Sequence, residues 1–175
     1  FILNDIFMSF MFMFFLYSKS NIFPGLFNAN HMEHEIDRED GPKGEPSLVS
    51  MTKKAIEILR KNPNGYLLMV ESGRIDHGHH VNNAHRALTD TLALDSAVIQ
   101  ALKMINLNHT MVIVTADHSH VFTFGGFPKR GNPILGFDSK TSDVDGLPYT
   151  TLLYANGPGY TQNRNVVIDN DINTS

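Results

Sequence analysis

The chain has 175 residues, a formal net charge of −4 and 42% hydrophobic residues. That length suits one domain or part of a larger one, with enough apolar side chains to bury a core. The mild acidity argues against a nucleic-acid binder, which carries a basic face, and the lack of cysteine excludes disulfides and thiolate metal sites.

The chain opens on Phe1 rather than methionine, which suggests an incomplete sequence. The run from Ile6 to Tyr17 is almost wholly apolar. It falls short of the roughly 20 residues of a membrane span. It has the length of a signal-peptide core, but no Lys or Arg precedes it and no small-residue cleavage site follows. A buried core segment, a poor signal-like stretch and sequence foreign to the mature protein are the three readings. The Phe/Met/Ile monotony favours the last. The expected division is an apolar segment over 1–24 and a globular portion over 25–175.

Residues 28–46 are polar and turn-rich around Gly41-Pro42-Lys43-Gly44, which reads as a loop. Ser47 can cap a helix through about Lys61, with Leu48, Met51, Ala55, Ile58 and Leu59 on one face. Asn62-Pro63-Asn64-Gly65 stops it. Tyr66–Val70 is a short apolar run between turn signals, the pattern of a parallel strand buried on both faces. A second helix is expected over about 82–104, with Leu88, Leu92, Ala97, Val98, Ala101 and Leu102 as its apolar side. Met111–Thr115 is the next buried strand and Tyr149–Tyr154 a third, followed by the turn Asn156–Gly159. Alternating helices and strands with right-handed crossovers predict an α/β layered fold. Asn108-His109-Thr110 and Asn173-Thr174-Ser175 are glycosylation sequons, which nudge the reading toward a secreted protein.

Two stretches following the expected strands carry chemistry. One is Val70-Glu71-Ser72-Gly73-Arg74-Ile75-Asp76-His77-Gly78-His79-His80; the other is Thr115-Ala116-Asp117-His118-Ser119-His120. Functional groups collect at the carboxyl ends of strands in open α/β sheets. A lone loop histidine is usually a solvated or hydrogen-bonded residue. Five histidines and three carboxylates in two short segments are harder to explain that way. Carboxylate with imidazole suits zinc, and hard carboxylate oxygens suit magnesium. Asp76 and His80, four residues apart, share a face if Asp76 begins a helical turn and can grip one ion. Adjacent Asp117 and His118 can both turn toward a second. Glu71 offers a hard oxygen to a third.

These segments resemble the animal alkaline phosphatase family. Its pattern VEGGRIDHGHH, TADHSHVF, GG-aromatic-P and LLYGNGPGY is matched here by VESGRIDHGHH, TADHSHVF, Gly125–Pro128 and LLYANGPGY. The match runs from about Gly25 to Tyr160, with Ser72 and Ala155 standing for family glycines. The resemblance implies part of a three-layer sandwich, with a mostly parallel central sheet flanked by helices. It assigns Asp76 and His80 to a first zinc, Asp117 and His118 to a second, and Glu71 to magnesium. His120 matches a residue that holds the Asp76 carboxylate in place. His77 matches one near bound phosphate, acting through water.

A family calcium site would draw on the Phe27 carbonyl and on Glu45, with Asn28 where the family has glutamate. That neutral replacement lowers the charge offered to the ion. Asp95-Ser96-Ala97 echoes the family's nucleophile motif, but lies in the amphipathic helix with bulky Val98 and Ile99 behind it. Ser96 reads as a helix-surface serine. No catalytic nucleophile is then expected within this chain.

The resemblance further implies phosphomonoester hydrolysis through a phosphoserine intermediate in the complete enzyme. It implies small phosphomonoester substrates, a homodimer, and a glycolipid anchor outside this chain. The expected location is the extracellular face of the plasma membrane, or secretion. Rival expectations are a non-catalytic metal-binding fragment and a related two-metal phosphodiesterase or sulfatase.

Overall fold

The computed structural model describes residues 16–18, 21–23 and 25–156. Its elements in order are β1 (Leu16–Ser18), β2 (Asn21–Phe23), α1 (Leu48–Leu59), α2 (Arg74–His80), α3 (Ala84–Leu102), β3 (Phe122–Phe124), β4 (Phe137–Thr141), β5 (Pro148–Thr150) and β6 (Leu152–Tyr154). The chain divides into two compact units. One comprises residues 1–74 and 89–113, the other residues 75–88 and 114–175.

In the first unit, Ser47 caps α1, its Oγ accepting from the Ser50 backbone at 3.2 Å. Leu48, Met51, Thr52, Ala55, Ile56 and Leu59 form the buried face at helical spacing. Burying Ile56 and Leu59 stabilises by about 1.5–3 kcal/mol each. Beyond the helix, Asn62 receives the Asn64 N–H on its side chain and the Gly65 N–H on its carbonyl, and Gly65 turns at φ +84°. Met32, Leu48, Met51 and Ala97 make one core cluster with Val49, Val70 and Leu94; Ala55 and Leu59 make another with Ile58, Tyr66 and Leu68.

The polar loop before α1 is tied down by charge. Buried His34 meets buried Asp90 of α3 at 3.3 Å, and the same carboxylate oxygen accepts the Glu35 N–H at 3.2 Å. Arg38 holds both Glu35 oxygens, at 2.7 and 3.1 Å, and Asp40 at 2.8 Å. β1 and β2 pair antiparallel, and β1 lies beside α1. The expected segment boundary at residue 24 follows this hairpin. Phe7, Phe10 and Phe14 lie outside the described residues, as do most of the turn after Asn156 and the second sequon. Asn108 of the first sequon is exposed.

The parallel sheet predicted for 66–70 and 111–115 is not formed among the described residues. The sheets present are three antiparallel pairs, β1–β2, β3–β6 and β4–β5. Tyr66–Val70 keeps only the alternation of a strand. Tyr66, Leu68 and Val70 pack inward, while Leu67 and Met69 are 92% and 79% exposed. Met111 and Ile113 are exposed as well. The physical reason is pairing. A strand apolar on both faces is held by neighbouring strands on its two edges, and here neither run has one.

The predicted strand over 149–154 is broken at Thr151 into β5 and β6. The buried Thr151 donates its N–H to Gly136 and accepts the Gly125 N–H, both at 2.9 Å, so its backbone serves loops rather than a ladder. Both predicted helices are present within a few residues of their expected ends. Among the described residues no helix is long and apolar enough to cross a membrane.

In the second unit, β3 pairs with β6 in the register Phe122↔Tyr154, Thr123↔Leu153 and Phe124↔Leu152. Buried Asp138 of β4 organises the neighbouring loop. It accepts the Phe127 N–H at 2.6 Å and the Lys140 N–H at 3.2 Å. These backbone donors, Phe127 first, hold its carboxyl below the ordinary value of 3.8. A depressed carboxyl contributes stability above its unfolded pKa and loses it as pH falls through the folded one. Asp138→Asn should therefore destabilise the chain at neutral pH and flatten the loss of stability below about pH 4. Urea melts of both proteins at several acidic pH values check this; parallel curves would contradict it.

Candidate metal centre

The site lies in the second unit and starts from a close approach of two helices. Gly78 in the middle of α2 abuts the first turn of α3. A Cβ there would stand 2.8 Å from the Ala87 backbone nitrogen and 3.1 Å from its Cα. Asn82 makes the turn between the helices at φ +59°, a conformation asparagine tolerates. Asn83 then caps α3, its side-chain oxygen accepting the Arg86 N–H at 3.0 Å. This packing fixes α2, which carries Asp76 in its first turn and His80 in its last.

Asp76 is the hub. Its Oδ2 is 3.3 Å from His80 Nε2, while its Oδ1 is 3.7 Å from both His118 Nε2 and His120 Nε2. Asp76, His80 and His120 each offer a ligand atom, all within 4.8 Å of one another. Zinc bonded at about 2.0–2.1 Å in a tetrahedron separates its ligand atoms by about 3.3 Å, close to the Asp76–His80 spacing. Asp76 Oδ1 and His120 Nδ1 are buried and have no hydrogen-bond partner among the described residues. Buried polar atoms are ordinarily paired, so this donor set fits a cation.

The other expected residues fall as follows. Exposed Asp117 accepts the His118 N–H at 3.0 Å and lies 3.3 Å from His118 Nε2. His118 gives its Nδ1 to the Ser119 carbonyl at 2.8 Å; that bond first, then the Asp117 charge, raises its pKa. A raised imidazole pKa makes protons stronger competitors for the ion. His77 sits half-buried on α2 beside Asp76. Glu71 is exposed and belongs to the first unit, as do Phe27 and Glu45. Ser96 is exposed on α3, next to the buried Ala97.

Sequence reasoning gave His120 a supporting role and passed over His79, Tyr154 and Asn156. The structure puts His120 among the atoms within one ion's reach. His79 stacks on His120, with ring centroids 5.1 Å apart and planes 24° apart, and its Nδ1 meets the Tyr154 hydroxyl at 2.8 Å. Burial lowers the His79 pKa, with the neighbouring His120 adding to it, and pushes the Tyr154 phenol up to about 12. Asn156 donates to the His79 carbonyl at 2.9 Å and to the Asn82 side chain. No local signal joins these residues, because His79 and Tyr154 are 75 positions apart.

A carboxylate and imidazoles gathered on one helix and one following loop make a metal-binding class of site. The alkaline phosphatase family profile matches residues 16–175, and the chain belongs to that family. It is 50% identical over 143 residues to the tissue-nonspecific alkaline phosphatase of Gallus gallus, covering 82% of this chain and 27% of that protein. It is 50% identical over 136 residues to the corresponding Homo sapiens isozyme, covering 78% and 26%. Against the alkaline phosphatase of Gadus morhua the identity is 45% over 143 residues, covering 82% and 30%. The chain thus spans roughly a quarter to a third of the length of these relatives.

Gly78→Ala tests the helix contact. Alanine is favoured by about 1 kcal/mol in a helix. The clash is with backbone, which cannot swing aside as a side-chain tip can. Overpacking should win, with a net loss of about 1–3 kcal/mol. Denaturant unfolding measures it; a stabilised variant would contradict the packing.

Proposed function

We propose that this chain supplies metal-holding residues of a phosphomonoester-hydrolysing alkaline phosphatase. The observation that carries the reading is the convergence on Asp76 of His80, His118 and His120, within motifs matching that family. Asp76 and His80 hold one zinc, and Asp117 and His118 a second. His120 steadies Asp76 and lies near enough to share the first ion. Glu71 is the hard carboxylate assigned to magnesium, and His77 is placed toward the phosphate through water.

Bound zinc supplies Lewis-acid stabilisation of the phosphoryl oxygens and lowers the pKa of a bound oxygen nucleophile. The chain's own work is to present Asp76 at a fixed angle from α2 and to neutralise charge by position. No nucleophilic role is assigned to Ser96. The phosphoserine intermediate therefore draws its serine from elsewhere in the complete enzyme. With this reading go the three-layer parallel sandwich, small phosphomonoester substrates, a homodimer, and glycolipid attachment at the extracellular face or secretion.

Calcium does not fit the residues as they stand. Glu45 receives the Asn28 side-chain amide on one oxygen and the Glu33 N–H on the other at 2.8 Å. Its backbone carbonyl takes Arg38 at 3.3 Å. A calcium ion needs oxygen donors on all sides, and these neighbours are N–H groups. Millimolar calcium should leave the melting temperature unchanged, whereas Asn28→Glu should make it rise with calcium. A calcium-induced rise in the unsubstituted chain would restore the site.

The function is tested by replacing the matching segment of a full-length relative with residues 25–160 of this chain. The chimera should hydrolyse a chromogenic phosphomonoester at alkaline pH within about tenfold of the parent. Asp76→Asn in the chimera should cost at least about a hundredfold, the scale of losing a transition-state contact. A folded, zinc-loaded chimera preferring a phosphodiester or a sulfate ester would overturn the reading.

A further inference from the structure

A histidine that serves a metal centre, as a ligand or by steadying a ligand's carboxylate, is usually aimed by a hydrogen bond from its second ring nitrogen, which fixes the ring's rotation. His120 lacks that device, because its Nδ1 is buried without a hydrogen-bond partner among the described residues. Its ring is instead held by other rings. His79 stacks on it at 5.1 Å, and the His80 ring stands perpendicular to it at 4.9 Å.

The orientation of His120 then depends on what fixes His79. Two contacts from β6 and its exit do so. The Tyr154 hydroxyl meets His79 Nδ1 at 2.8 Å, and Asn156 holds the His79 carbonyl at 2.9 Å. Tyr154 is in turn placed by pairing. It lies opposite Phe122 in the β3–β6 register, with their rings 5.0 Å apart. Phe122 also leans on His79 at 4.9 Å. The strand carrying Phe122 begins two residues after His120, so the two-stranded sheet ties both ends of the stack.

We propose that Tyr154 is a positioning residue for the metal centre: through its hydrogen bond to His79 it sets the stacked His79 ring, and thereby the angle at which His120 Nε2 steadies the Asp76 carboxylate that holds the ion. The inference rests on the metal-site reading above. It assigns Tyr154 no contact with ion or substrate. A stack fixes a ring's plane but leaves it free to slide in that plane, and the hydroxyl removes this freedom by pinning one nitrogen of the stacking partner.

The test uses the full 175-residue chain and cobalt(II) as a visible probe of a zinc-type site. Tyr154→Phe keeps the ring against Phe122 and removes only the hydroxyl. It should weaken cobalt binding about tenfold, the lower end of the effect of losing an orienting partner. At saturating cobalt its visible absorption should be weaker and shifted. The metal-free melting temperature should stay within about 2 °C of the unsubstituted chain, which separates positioning from a general loss of stability.

If Tyr154→Phe does not fold, His79→Phe keeps a ring against His120 without the hydrogen bond and carries the same expectation. Asp76→Asn is the control for the site itself. If it abolishes cobalt binding while Tyr154→Phe and His79→Phe bind within about twofold of the unsubstituted chain, the positioning role is overturned and the metal centre stands. If the unsubstituted chain and Asp76→Asn bind cobalt equally weakly, the metal centre and the positioning role fall together.

Discussion

The backbone of α3 at Ala87 leaves no room for a side chain on α2 at position 78, and the direction of α2 depends on that approach. A glycine within a helix costs conformational entropy. The cost is offset by what the contact fixes, since α2 is only seven residues long and could not hold a direction on its own propensity. Pressed against α3, and turned into it by Asn82, it presents Asp76 and His80 on one side. The loop carrying His118 and His120 then meets a carboxylate that is already in place. A loop site is only as well defined as the rigid element it faces, and that element here is a short helix made rigid by its neighbour.

The polar atoms left over reinforce that reading. A buried carboxylate oxygen and a buried imidazole nitrogen without hydrogen-bond partners among the described residues are costly. Folded proteins seldom keep such atoms without a use. Two other buried carboxylates among the described residues are well supplied with donors. Asp138 takes two backbone N–H groups, and Asp90 takes His34 and Glu35. The contrast between these satisfied carboxylates and Asp76 is internal to one molecule.

Local rules read well from the sequence. The Ser47 cap, the apolar face of α1 and the stop at Asn62–Gly65 follow from side-chain chemistry over a few residues. So does the Asp76–His80 pair, because a four-residue step on a helix puts both groups on one side. The apolar runs at 66–70 and 111–115 were legible as strand-forming but not as paired. Strand pairing depends on distant partners, whereas composition reports only what a segment would bury. Tyr149–Tyr154 failed for a related reason: Thr151 spends its backbone bonds on loops, and no pattern of apolar residues announces that. His120 and His79 were visible as residues, but their roles depend on ring stacking and on a tyrosine far along the chain. Spacing arguments do not reach such contacts.

The run Met111–Thr115 has a consequence for how this polypeptide behaves in company. Five consecutive residues without charge or proline, four of them β-branched, form a segment of the kind that adds edge to edge between molecules. With Met111 and Ile113 exposed, the open backbone edge is a template for another copy. Lys103 on one side and Asp117 on the other are the nearest charges that interrupt it, acting as gatekeepers at a distance. If copies of this polypeptide pair edge to edge, the run at 111–115 is the segment whose composition and exposure suit it.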